Sequence, residues 1–269
     1  MRNFAGALRR VFPGAMTDSQ SIAFSMFLAF FPMLLFALGL LTLSPDLNNA
    51  AREFIINLGA LLPLQIRRMV RDFLIEQGKG SAPQTWILLG VTGTLYLGSQ
   101  VMNGFLQAIR NLNGDKEPVR FWRQQWRAFL LLLITIVPLF SVIILTVFGG
   151  RFRDWMIYHF GLPRFFNGIW GFVYITLAVV LAMLVLTLLY RTGRFDQTAW
   201  NDVIPGAIVA TIFWSVANTA FGWYMRQVPY SVVYGGLAAT IGMLVWMNLC
   251  ALIILVGAAY NAEAVARRK

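Results

Sequence analysis

GGLAATIGMLVWMNLCALIILVGAAY, residues 235–260, contains no Asp, Glu, Lys, Arg or His. A helix rises ~1.5 Å per residue, so about 20 such residues cross a ~30 Å hydrocarbon slab. Inside the slab no water satisfies the backbone, and a single run closes its own hydrogen bonds only as a helix. Five more stretches are equally free of charge: 21–43, 86–109, 128–148, 169–190 and 203–225. Together they predict an all-α membrane fold. The expected architecture is a six-transmembrane-helix bundle, with residues 1–269 forming a single polytopic membrane domain.

Composition agrees. Hydrophobic residues make up 58% of the chain and charged residues 12%, against roughly half and a quarter in soluble domains. The net charge of +11 reads as membrane topology rather than nucleic-acid binding, because charge-free spans leave every basic residue in the connections, beside anionic headgroups. Arg2, Arg9 and Arg10 precede the first run as they would in a signal peptide, but its length and the five later runs argue for a retained span. Six spans put both termini on one side. With that side cytoplasmic, it carries thirteen Lys and Arg against nine opposite, which favours both termini on the cytoplasmic side. Seven tryptophans (Trp86, Trp122, Trp126, Trp155, Trp170, Trp200 and Trp223) fall near span ends, where an indole suits the headgroup layer. Trp214 and Trp246 lie mid-span and need partners for their N–H groups.

The connection between spans one and two is patterned. Ala51, Phe54, Ile55, Leu58, Leu61 and Leu62 recur at helical spacing, Pro63 interrupts, and Ile66, Met69, Val70, Phe73 and Leu74 resume. This predicts a short amphipathic helical hairpin over 48–77 on the outer face, packed on the spans or docking an envelope protein partner. Phe4, Ala7, Leu8 and Val11 predict a shorter interfacial helix at the N-terminus.

Chemistry within the spans rests on uncharged groups. Gln100, Asn103 and Gln107 are spaced to share one face of span two, with Gly90, Thr94 and Gly98 repeating every four residues beside it. Asn218 and Asn248 add amides in spans five and six. Such amides form hydrogen bonds between helices or line a polar cleft that meets a substrate headgroup. Pro32 and Pro138 fall mid-span, each freeing a carbonyl, and Pro205-Gly206 opens span five. Gly235 and Gly236 allow a close approach or a turn before span six. The absence of Asp, Glu and His within the spans disfavours a proton-coupled antiporter. With one Cys (Cys250) and one His (His159), no internal disulfide or metal-ligand spacing is available, and no cofactor is expected. Hydrolase, zinc-protease and phosphate-loop motifs are absent, so no enzyme activity is expected.

Four blocks resemble the YihY/BrkB family of bacterial inner-membrane proteins, formerly mislabelled ribonuclease BN. They are Ala23-Phe24 with Phe31-Pro32; Gly98-Ser99 with Ala108-Ile109-Arg110; Trp200-Asn201-Asp202 with Pro205-Gly206-Ala207, Phe213-Trp214, Phe221 and Tyr224; and Tyr230 with Tyr234-Gly235-Gly236, Trp246 and Leu255-Val256-Gly257-Ala258. Ser25 and Ala259 depart from the pattern, standing where the family often has Tyr and an acidic residue. The resemblance implies a six-helix inner-membrane bundle associated with virulence and the envelope. Movement of lipid-like or amphiphilic envelope components is the leading expectation, with membrane lipids as partners and energy from a gradient or another protein. A small-solute or ion transporter in stress tolerance and a non-transporting scaffold are the rivals.

Overall fold

A computed structural model describes residues 14–41, 83–115, 120–160, 166–194, 199–227 and 236–268. The expected hairpin at 48–77, the N-terminal interfacial helix and Gly235 lie outside these residues. Among the described residues every regular element is helical: α1 Ala15–Leu41, α2 Pro83–Asn113, α3 Phe121–Phe160, α4 Phe166–Gly193, α5 Trp200–Gln227 and α6 Gly236–Ala266.

Each charge-free run is found inside one of these helices apart from its outermost residues, and the helices continue into charged flanks. Asp18 and Asp202 sit in the first turns of α1 and α5, and Arg110 and Arg191 in the last turns of α2 and α4. Those signs suit the partial charges at helix ends. The largest departure is α3. Its 40 residues span ~60 Å, about twice a hydrocarbon core, and take in Arg151 to His159, which the charge pattern alone assigns to an outer connection.

Four segments are long and apolar enough to cross a membrane: Ala15–Phe36, Thr176–Gly193, Trp200–Tyr224 and Thr240–Ala266. The described residues thus supply four candidate crossings against six expected runs. In α2 the hydroxyls and amides from Thr92 to Gln107 lower the mean hydropathy, and the side chains of part of the apolar stretch of α3 fall outside the description. Hydroxyls within the helices mostly bond their own backbone one turn back, as Thr92, Thr135, Thr187, Thr211 and Thr219 do, which limits the cost of burying them.

The chain divides into two compact units, whose described residues are Gly14 and those within Phe105–Trp214 and Ile253–Lys269 for the first, and those within Ala15–Gly104 and Ser215–Leu252 for the second. In the first, α3 packs on α4, and the core is rich in small side chains, with Ala128, Ala207, Ala210, Ala258 and Ala259 buried beside Leu189, Val203 and Leu255. Pro138 is buried there too. In the second, α1 and α2 run antiparallel. A Cβ added at Gly104 would stand 3.0 Å from Ile22, one at Gly93 2.8 Å from Pro32, one at Gly90 against the Phe36 backbone, and one at Gly39 2.6 Å from Ile87. In these pairs the numbering rises along one helix as it falls along the other, the signature of one antiparallel face held along both. Pro32 therefore serves as a packing surface for α2. The expected face shifts slightly: Gly90 belongs to it together with Gly93 and Gly104, while Gly98 is buried and Thr94 half-buried.

Candidate functional site

The first unit holds a notch of about 410 Å³ lined by Gln107, Arg110, Asn111, Asp115 and Gln124. Local backbone chemistry builds it. Gly114 adopts a φ of 73°, a conformation open to glycine at little cost. Its N–H donates to the Asn111 carbonyl at 3.1 Å and the Asp115 N–H donates to the Arg110 carbonyl at 3.1 Å. This pair of bonds is the Schellman ending of a helix. It folds Asp115 back over the last turn of α2, leaving its carboxylate 3.9 Å from Arg110 Nε. Arg120 then caps α3, its carbonyl accepting from the Arg123 and Gln124 N–H groups, and Gln124 closes the far wall.

The surroundings are basic. Burial, then Arg123 and Arg110, lower the Arg127 guanidinium from its ordinary value, so these three cations lie close enough to oppose one another. Gly193 packs on Ile109, next to Arg110, where an added Cβ would meet the isoleucine at 2.7 Å. Arg194 follows directly, with Nη1 buried and without a hydrogen-bond partner among the described residues. Exposed rings mark the same level: Phe121, Trp122 and Trp126 on the first turns of α3, and Trp200, on whose face the Arg191 guanidinium rests at 4.2 Å.

A second polar feature of this unit is buried. Asn261, 2% exposed, spans from α6 to the first turns of α5. Its Nδ2 donates to the Val203 carbonyl at 2.9 Å, and its Oδ1 accepts from the Gly206 N–H at 2.7 Å. These two groups flank Pro205, which has no N–H to give the helix. Gly206 and Gly257 stand face to face, since a Cβ on either would strike the other's carbonyl oxygen. From α4, the Tyr190 hydroxyl donates to the Ile254 carbonyl at 2.8 Å. Arg268 pairs with Asp202 at 2.8 Å where the two helices end and begin. The result is a close helix crossing pinned by one amide.

The description "Virulence factor BrkB" matches residues 15–269. The chain belongs to the BrkB family. Among its relatives, the ribonuclease-like protein YfkH of Bacillus subtilis (strain 168) is 22% identical, covering 94% of this chain and 91% of that protein. A UPF0761 membrane protein of Paraburkholderia xenovorans (strain LB400) is 25% identical over 88% of this chain and 54% of its own length. A UPF0761 membrane protein of Chromobacterium violaceum is 25% identical over 91% and 57%. The chain thus spans just over half the length of the latter two. No solved structure matches. This BrkB-family chain is an integral membrane protein.

The amides singled out from the sequence part company. Gln107 is exposed at the notch, in the first unit. Gln100, Asn103 and Asn248 are half-buried and Asn218 exposed, all in the second. Asn248 Oδ1 and Thr94 Oγ1 are buried there without a hydrogen-bond partner among the described residues. Trp246 stacks on Phe221 at 4.8 Å between centroids, and Trp214 is exposed. Gly236 begins α6. Ala259 is fully buried, so an acidic side chain at this position would meet the packed core. Among the described residues no three His, Cys, Asp or Glu gather as they would to hold a metal ion. Sequence reasoning passed over Asn261 and Tyr190 as site residues, and over Arg110, Asn111 and Gln124 as walls of a recess.

Proposed function

We propose that this BrkB-family protein is a six-span inner-membrane protein, with both termini cytoplasmic, that moves or helps to move lipid-like or amphiphilic envelope components and is not an enzyme. The observation that supports this reading is the notch beside exposed tryptophans on the first turns of α3. Trp122 and Trp126, 67% and 62% exposed, suit a start of α3 in the headgroup layer, where amphipathic rings settle. An open recess lined by amides and a guanidinium at that level suits a headgroup whose tails stay in hydrocarbon. Ribonuclease activity, which the name of the Bacillus relative suggests, would predict metal-dependent RNA cleavage by the pure protein. The full-length protein reconstituted in liposomes with fluorescent phospholipid tests the proposal: transbilayer movement faster than in protein-free vesicles is expected, and an unchanged rate, alone or with envelope proteins added, contradicts it.

Small-solute transport is the second reading. It is favoured by the buried Asn248 Oδ1 and Thr94 Oγ1, which have no hydrogen-bond partner among the described residues, since a buried acceptor without a donor is costly and a polar solute would satisfy it. It predicts solute flux that fails in Asn248→Leu while the fold persists.

A further inference from the structure

We infer that the notch between α2 and α3 is a binding site for an anionic, phosphate-bearing headgroup. The inference rests on the amphiphile reading and adds the charge class of what is bound. Four of the five lining side chains carry N–H donors: the Gln107, Asn111 and Gln124 amides and the Arg110 guanidinium. A guanidinium offers a planar fork of donors that matches phosphate oxygens. Amides accept as well as donate, so the recess also suits the hydroxyls of a polyol headgroup. The Arg110 side chain is only 11% exposed, and a charge so placed acts through less solvent than a surface lysine does.

Among the described residues, bases outnumber acids around the recess. Arg123 and Arg127 stand on the α3 side, and Arg194 follows the glycine that packs beside Arg110, its buried Nη1 a donor with no acceptor among the described residues. A choline headgroup would bring its own cation into this field, whereas a glycerol headgroup brings none. Asp115 is the acidic wall. Its carboxylate faces Arg110 at a distance longer than a direct hydrogen bond, while its backbone is fixed by the Schellman bonds. It therefore occupies the position that an incoming phosphate would contest, and the site carries its own competitor.

Calorimetric titration of the full-length protein in detergent tests this, with short-chain phosphatidylglycerol, short-chain phosphatidylcholine and inorganic phosphate as probes. Phosphatidylglycerol is expected to bind about tenfold more tightly than phosphatidylcholine, with Arg110→Gln losing about tenfold and Asp115→Asn gaining several-fold. Asp115→Asn keeps the decision open if Arg110→Gln fails to fold. Inorganic phosphate that competes fully supports the anion site and points to a free phosphate compound as its ligand; failure to compete supports it with a lipid as the source. Equal affinity for the two lipids, or an Asp115→Asn affinity no higher than the parent's, overturns the inference. Lipid movement measured in parallel separates the two claims: movement without anion preference sinks this inference alone, and anion preference without movement sinks only the transport reading.

Discussion

The α5–α6 crossing of the first unit and the α1–α2 crossing of the second achieve close approach by different means. In α1–α2 the contact is made by shape, with glycines of α2 receiving Ile22, Pro32 and the Phe36 backbone, and Gly39 of α1 receiving Ile87. In α5–α6 two glycines bring backbones together and Asn261 then bonds both sides of the gap left by Pro205. Lipid tails are as apolar as leucine, so a crossing within hydrocarbon does not gain from the hydrophobic effect as it would in water, and packing and buried polar bonds carry the association. A shape-made contact tolerates small shifts. One fixed by an amide has a single register, because moving α6 by one residue removes both bonds at once.

That contrast sets an order of effects. Gly206→Ala is expected to cost most, about 3 kcal/mol, at the upper end for overpacking, because its new methyl meets a carbonyl and the clasping amide. Thermal unfolding in detergent reads it, and an unchanged midpoint breaks the idea of a pinned crossing. Asn261→Leu follows at about 2 kcal/mol, since it strands the Gly206 N–H and the Val203 carbonyl. A double-mutant cycle with Gly206→Ala should show strong coupling, as both act on one contact.

Gly114→Ala comes next, at about 1–2 kcal/mol for a left-handed residue. Its sharper readout is binding: phosphatidylglycerol affinity is expected to fall more than stability, because the turn sets Asp115 and the notch wall. Gly39→Ala in the shape-made crossing is expected to cost about 1 kcal/mol, less than Gly206→Ala, as the atom it meets most closely, Ile87 Cγ1, belongs to a side chain, stiff at χ1, and not to a carbonyl. Gly222→Ala meets nothing within 4 Å and should be neutral or gain up to ~1 kcal/mol from helix propensity. If Gly39→Ala proved as damaging as Gly206→Ala, the comparison would fail.

The helices were legible because a run of about twenty residues without a charge suits little besides a membrane-crossing helix. Their ends were not, since Arg110 or Asp202 reads as the close of an apolar run although the backbone continues through it. Pro205-Gly206 and Gly257 were visible as separate blocks, yet nothing along the chain says that they touch. Asn261 lies one residue past the last apolar run, and its signal was its position four after Gly257, on the same helical face. The notch was written in Asn113-Gly114-Asp115, a helix stop followed by an acid that returns to a basic last turn. Gln107 shares its spacing with Gln100 and Asn103, but only the fold shows that it opens on the recess.

Site-directed thiol labelling tests the central claim most directly, namely that a polar recess at headgroup level adjoins membrane-crossing helices. Single cysteines at Asn111, Gln124 and Asn218 would be placed in a Cys250→Ala chain and probed in sealed vesicles with a membrane-impermeant maleimide. The account predicts that Asn111→Cys and Gln124→Cys react from the same side while Asn218→Cys is protected from both. Free reaction at all three positions, or reaction of the two notch cysteines from opposite sides, would contradict it.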